Sequence, residues 1–163
     1  GPPGSGADII FKYLQKSSSS QLNSPTFEII HENHVPAYGY GKNHGWSRII
    51  RIVRRPIPQA IQLLYESNLF QSNDISTLID SQIRQLIRWH CRLSHVAAHT
   101  RMLTIFLDDI ILRPTTILEQ ILTYSGVALP DRSIIFALSI ELQQEIVNSM
   151  SPYNNITQLL SKL

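Results

Sequence analysis

The chain is poor in charge, holds a single cysteine and has no long apolar run. Charged residues fill only 16% of its 163 positions, and 14 basic residues against 12 acidic ones leave a formal charge of +2. No broad basic field points to nucleic acid, so no nucleic-acid partner is expected. With Cys91 alone, neither an internal disulfide framework nor a cysteine-built zinc site can form. No stretch reaches the roughly 20 apolar residues of a membrane span, and no signal-peptide pattern is visible. Composition fixes neither the compartment nor the oligomeric state.

What the chain has instead is aliphatic bulk. Apolar residues make up 43%, with 23 isoleucines and 19 leucines, enough to build a sizeable core and to exclude a mostly disordered chain. The length predicts one domain over residues 1–163. The sequence opens on Gly1, already inside a motif, which predicts a fragment whose first strand lies upstream.

Apolar residues at 10, 11 and 14 predict a helix from Asp8 to Lys16, with Asp8 suited to its start. Ser17 to Pro25 reads as loop. Thr26 to His31 and Arg48 to Val53 read as strands, separated by the glycine-rich stretch Tyr38 to Gly45. A helix is expected from Pro58 to about Leu69, with Ile61, Leu64, Tyr65 and Leu69 on its apolar stripe. A longer helix follows, capped by Ser76 and carrying Leu78, Ile79, Ile83, Leu86, Ile87 and Leu93. Met102 to Leu107 predicts a buried strand ending in Asp108-Asp109. Thr115 to Tyr124 predicts a helix stopped by Ser125-Gly126, with two shorter helices after it. Short strands alternating with helices imply an α/β fold with a largely parallel sheet, in which Thr26–Ile30, Arg48–Val53 and Leu103–Leu107 are neighbours.

Gly1, Gly4 and Gly6 ahead of a helix are the residues of an anion-binding turn, because glycines let backbone N–H groups converge at the helix N-terminus. Read as Gly-x-x-x-x-Gly-Lys-[Ser/Thr], the pattern holds from Gly1 to Gly6. It then meets Ala7 where a lysine belongs and Asp8 where a magnesium-binding hydroxyl belongs. Gly-Pro-Pro-Gly-Ser-Gly resembles the loop of nucleoside monophosphate kinases, which the missing lysine argues against. A plain Pro/Gly turn is the alternative.

The order of the remaining motifs resembles the sulfotransferases that use 3′-phosphoadenosine 5′-phosphosulfate (PAPS). Pro3-Gly4-Ser5-Gly6 is similar to their Pro-Lys-Ser-Gly-Thr-Thr loop. Glu32-Asn33-His34-Val35-Pro36 is similar to Lys-Thr-His-x-Pro, and Ile52-Val53-Arg54-Arg55-Pro56 to Val-Arg-Asn-Pro. Phe106-Leu107-Asp108-Asp109-Ile110 and Ile121-Leu122-Thr123-Tyr124-Ser125-Gly126-Val127 are similar to the strand end and helix end that follow. The resemblance covers Gly1 to about Pro130.

It implies a three-layer P-loop-like fold and transfer of a sulfuryl group from PAPS to a hydroxyl acceptor, taken here as carbohydrate. In that reading Gly4, Ser5 and Gly6 hold the phosphosulfate, Arg54 and Gln62 stand at the 3′-phosphate, and His34 is the base. No metal is required. A longer carbohydrate sulfotransferase would place the domain in the Golgi lumen, and otherwise it would be cytoplasmic.

Departures at five positions bear on activity. Gly4 replaces the loop lysine, and Ala7 and Asp8 replace the two threonines. Glu32 replaces a lysine, and Gln62 a serine. Sulfuryl transfer needs positive charge on the bridging oxygen and the leaving phosphate, so cofactor binding is expected to be weak or lost. A catalytically inactive nucleotide- or protein-binding domain is the alternative, and a degenerate nucleotide kinase a further one.

Other residues have blander readings. His34 also reads as a solvated loop histidine. Arg48 and Arg51 are expected to face water or a helix end. His95 and His99, four apart with Cys91 one turn back, have a spacing that can bind zinc but no evident fourth ligand. Trp46 and Trp89 read as packing anchors, and Asn155-Ile156-Thr157 is a glycosylation triplet.

Overall fold

A computed structural model describes residues 4–19, 48–69, 74–96, 98 and 100–160. The elements are α1 (Ala7–Ser19), β1 (Arg48–Val53), α2 (Pro56–Glu66), α3 (Ile75–Val96), β2 (Arg101–Phe106), α4 (Leu107–Leu112), α5 (Pro114–Ser125) and α6 (Arg132–Leu160). β1 and β2 pair in parallel, from Arg48 opposite Arg101 to Val53 opposite Phe106. The described chain is therefore α/β, with helix predominating around a two-stranded parallel sheet. The expected third strand, Thr26–Ile30, lies outside the described residues.

The period-two alternation of a strand decides which side chains meet which helices. On one face Ile52 and Ile105 are buried, with Ile50 and Leu103 beside them. They join a core built from Ile10 and Leu14 of α1, Leu107 and Ile110 of α4, Leu118, Ile121 and Leu122 of α5, and Leu142 and Ile146 of α6. Each fully buried Leu or Ile there stabilises the fold by about 1.5–3 kcal/mol before entropy is counted. The other face is polar at its centre. Arg51 donates to Thr104 Oγ1 through Nε (3.2 Å) and Nη2 (3.0 Å), and through Nη1 to Ser94 Oγ of α3 (3.0 Å).

Helix ends follow local chemistry. Gly126 closes α5 in the left-handed region (φ 78°), and Val127 N–H reaches back to Leu122 O over 3.1 Å. Arg48 Nη1 donates to Tyr124 O at 2.6 Å, setting a cation on the negative end of α5. Arg48 thus meets the helix end expected of it.

Several boundaries differ from expectation for identifiable reasons. α2 starts at Pro56, whose missing N–H suits the first turn. Its buried stripe is Ala60, Ile61 and Leu64, whereas Tyr65 and Leu69 are exposed. Asp74, not Ser76, caps α3, accepting from Thr77 N–H at 3.4 Å. β2 ends at Phe106, because Leu107 is buried as the first residue of α4 and the two aspartates after it suit a helix N-terminus. Past Arg132 there is one helix of 29 residues, not two. It continues through Pro152, which removes a single backbone hydrogen bond without ending the run.

Candidate functional site

Two segments distant in sequence meet at the C-terminal edge of the parallel strands. Arg54 is the first residue after β1, and its side chain is only 6% exposed. Its Nη1 donates to the backbone carbonyl of Gly4 at 2.9 Å and also to Gln62 Oε1. Neither acceptor carries charge. Gln62 in turn donates through Nε2 to Glu66 Oε1 at 2.7 Å, one turn further along α2.

The glycine turn is shaped by its contacts. Gly4 and Gly6 have φ of 69° and 80°, values that L side chains rarely adopt. A Cβ on Gly6 would stand 3.0 Å from Leu107 Cδ1, whereas one on Gly4 would meet Gln59, Gln62 and Leu63 at 3.6–3.8 Å. The turn therefore lies between α2 and the start of α4, and leads directly into α1. Ser5 sits between the glycines, 1% exposed, and its buried Oγ has no hydrogen-bond partner among the described residues. A buried hydroxyl without a partner is costly in a folded chain and marks a place where a ligand oxygen or water fits.

The next residue along each strand end adds a second link. Arg55 Nε lies 2.9 Å from Asp108 Oδ2, and Nη2 donates to Oδ1 at 3.3 Å. Arg55 is largely exposed and Asp108 half-buried, so this solvated pair is worth little in stability, but it engages a guanidinium next to Arg54. Asp8 stands exposed in the first turn of α1, where its carboxylate opposes an anion bound at the turn.

Of the residues expected at the site, Gly4, Ser5, Gly6, Arg54 and Gln62 come together here. His34 lies outside the described residues, as do Trp46 and His99. Sequence reading did not single out Gln59, Leu63 or Glu66, and it took Leu107 as a strand end. Gln59 and Leu63 share with Gln62 the face of α2 turned to the glycine turn, and Glu66 lies one turn beyond Gln62, a spacing of three and four residues that was visible in principle. Among the described residues no group of three or more His, Cys, Asp or Glu converges as a metal site. Cys91 is a free, exposed thiol.

Comparison with known proteins returned nothing: no family model, no curated protein and no solved structure matches the chain.

Proposed function

We propose that this chain is a divergent sulfotransferase-type domain in which the Gly4–Gly6 turn and Arg54 form a half-site for the phosphates of PAPS. His34 is assigned as base and a carbohydrate hydroxyl as acceptor. The observation that carries the reading is the bond from Arg54 to the Gly4 carbonyl, which joins two motifs that the resemblance assigns to one nucleotide. The unpartnered Ser5 hydroxyl supplies a donor inside the same turn. In the three-layer P-loop-like fold that this reading carries, ligands bind beyond the carboxyl ends of the strands.

The second reading is a binding domain without transferase activity. Asp8 favours it, since a carboxylate in the first turn of α1 lowers the affinity of that helix end for an anion. Calorimetric titration with 3′-phosphoadenosine 5′-phosphate tests the common part. Weak binding is expected, reduced severalfold by Ser5→Ala and increased by Asp8→Thr. No heat at millimolar nucleotide, or identical binding by all three proteins, overturns the half-site. Sulfuryl transfer from PAPS to a carbohydrate then separates the two readings, and a chain that binds without transferring supports the second.

A further inference from the structure

Helix α3 carries two stripes side by side. Ile83, Ile87 and Cys91 recur every four residues, and each is followed at once by an arginine, Arg84, Arg88 or Arg92. Four residues advance a helix by about 6 Å and carry it about 40° past a full turn. The six residues therefore form an apolar seam with a basic ridge along its flank. Ile87 is 55% exposed, Cys91 and the three arginines are exposed, and Ile83 is half-buried. The side of α3 that packs inward is a different one, marked by the buried Leu86 and Leu93.

The ridge has one acidic neighbour on its own helix, the exposed Asp80 one turn before Arg84, and α3 carries no other aspartate or glutamate. Residues 81–107 include four arginines and no aspartate or glutamate, in a chain whose formal charge is only +2. The ion pairs between described residues lie on Lys12, Lys16, Arg55 and Arg113, away from this ridge.

We infer that this face of α3 docks an amphipathic helix of a partner protein. The partner's apolar stripe would lie on Ile83, Ile87 and Cys91, and its carboxylates, repeating every four residues, would pair with Arg84, Arg88 and Arg92. The match is one of repeat as well as sign, since both helices advance about 6 Å per four residues. Guanidinium groups grip carboxylates bidentately, which fixes register. The apolar seam distinguishes this partner from a bare polyanion, which would leave Ile87 in water. The one ring beside the ridge, Trp89, is half-buried and packs edge-on against His90, so it presents no open face for base stacking of the kind a single-strand nucleic-acid surface uses. A second copy of the chain is a poor match. Its one described helical pair of carboxylates four apart, Glu141 and Glu145, is already engaged by Lys16 and Lys12. No residue is shared with the nucleotide half-site, so the two readings stand or fall separately.

The test uses the full chain and a synthetic helical peptide carrying leucine and glutamate stripes at four-residue spacing, with a lysine-for-glutamate peptide as control. Fluorescence anisotropy should show binding of the acidic peptide and not of the control. The exposed triple variant Arg84→Glu, Arg88→Glu, Arg92→Glu should melt like the parent and lose about ten- to hundredfold in affinity. Ile87→Ser should weaken binding without reversing the preference. A peptide whose apolar stripe carries a cysteine as its mixed disulfide with thionitrobenzoate should exchange with Cys91, the chain's only thiol, releasing thionitrobenzoate faster than the same adduct of the control peptide. Should the triple variant fail to fold, Arg88→Glu alone gives the same reading at smaller amplitude. Equal binding of both peptides overturns the inference, as does equally strong competition by heparin or by phosphatidylserine vesicles. A parent dimer in sedimentation that the triple variant abolishes also overturns it, in favour of self-association.

Discussion

Arg54 Nη1 lies 2.9 Å from the carbonyl oxygen of Gly4, so a side chain leaving β1 fastens a turn fifty residues earlier in the chain. The bond is made by a guanidinium that is almost wholly buried, and through Gln62 it also reaches α2. Whatever the turn binds, its shape depends on this arginine.

Arg54→Met should therefore destabilise the fold markedly. The variant keeps most of the volume, loses the charge-assisted bonds and leaves the Gly4 carbonyl and Gln62 Oε1 without their donor. A loss of about 2–3 kcal/mol is expected, read as a lower urea midpoint at unchanged slope. Arg55→Met, which breaks the exposed pair with Asp108, should cost no more than about 1 kcal/mol. Equal losses in the two variants would show that the buried bond is no stronger than the exposed one.

Gly6→Ala should cost about 1–2 kcal/mol from the left-handed backbone alone. A further cost comes from Leu107, whose Cδ1 would stand 3.0 Å from the new Cβ. Gly126→Ala meets the same backbone penalty, with the Arg48 guanidinium 3.0 Å away in place of a core leucine. Gly6→Ala should be the worse of the two in thermal melts, because a buried leucine yields less readily than a long side chain.

Tyr13 gives an alkaline signature. Burial, then its hydrogen bond to Glu145, raises the phenol from 10.0 to about 12. The folded chain thus holds this proton through a pH range in which the unfolded chain releases it. The stabilisation is fully present below pH 10 and is lost as pH rises toward 12, at most about 2–3 kcal/mol. Tyr13→Phe should flatten that part of the stability profile. An unchanged slope in the variant would mean that other groups govern the alkaline limb.

Glu145 acts at the other end of the scale. Its hydrogen bond from Lys12 is the main cause holding the carboxyl below the ordinary carboxylate value, with that from Tyr13 assisting. The sign is opposite to that of Tyr13. The stabilisation is present above the unfolded pKa and is lost as pH falls through the folded one. Because the pair is partly solvated, Glu145→Gln should cost less than about 1 kcal/mol at neutral pH and less still in high salt.

Much of this was legible in the sequence because it is written in local chemistry. Ser125-Gly126 marked the end of α5 within one residue, since a left-handed cap favours glycine. The β-branched runs marked β1 and β2, and Arg54 was singled out by Val53 before it and Pro56 after it. What escaped depends on partners far along the chain. Tyr65 and Leu69 fit a helical stripe as well as Leu64 does, and only the packing of α2 shows that they stay in solvent. Asp74 rather than Ser76 caps α3 because both residue types cap helices and the backbone selects between them. Pro152 marks a helix end in most contexts, yet here α6 passes through it. The Arg54–Gly4 bond lay beyond any local rule, for a carbonyl is the same in every residue and fifty positions separate the two.

The pairing of β1 with β2 has a consequence for how the chain is made. Their first partners, Arg48 and Arg101, are 53 positions apart, and parallel strands cannot be joined by a hairpin. The sheet therefore does not exist until the ribosome has released residue 106, and closing so long a segment delays it further. Until then α2 and α3, contiguous in sequence, can associate, while Ile52 has no Ile105 beside it. During synthesis the glycine turn waits for a strand end that a later part of the chain must hold in place, so the site cannot be completed before β2 has emerged.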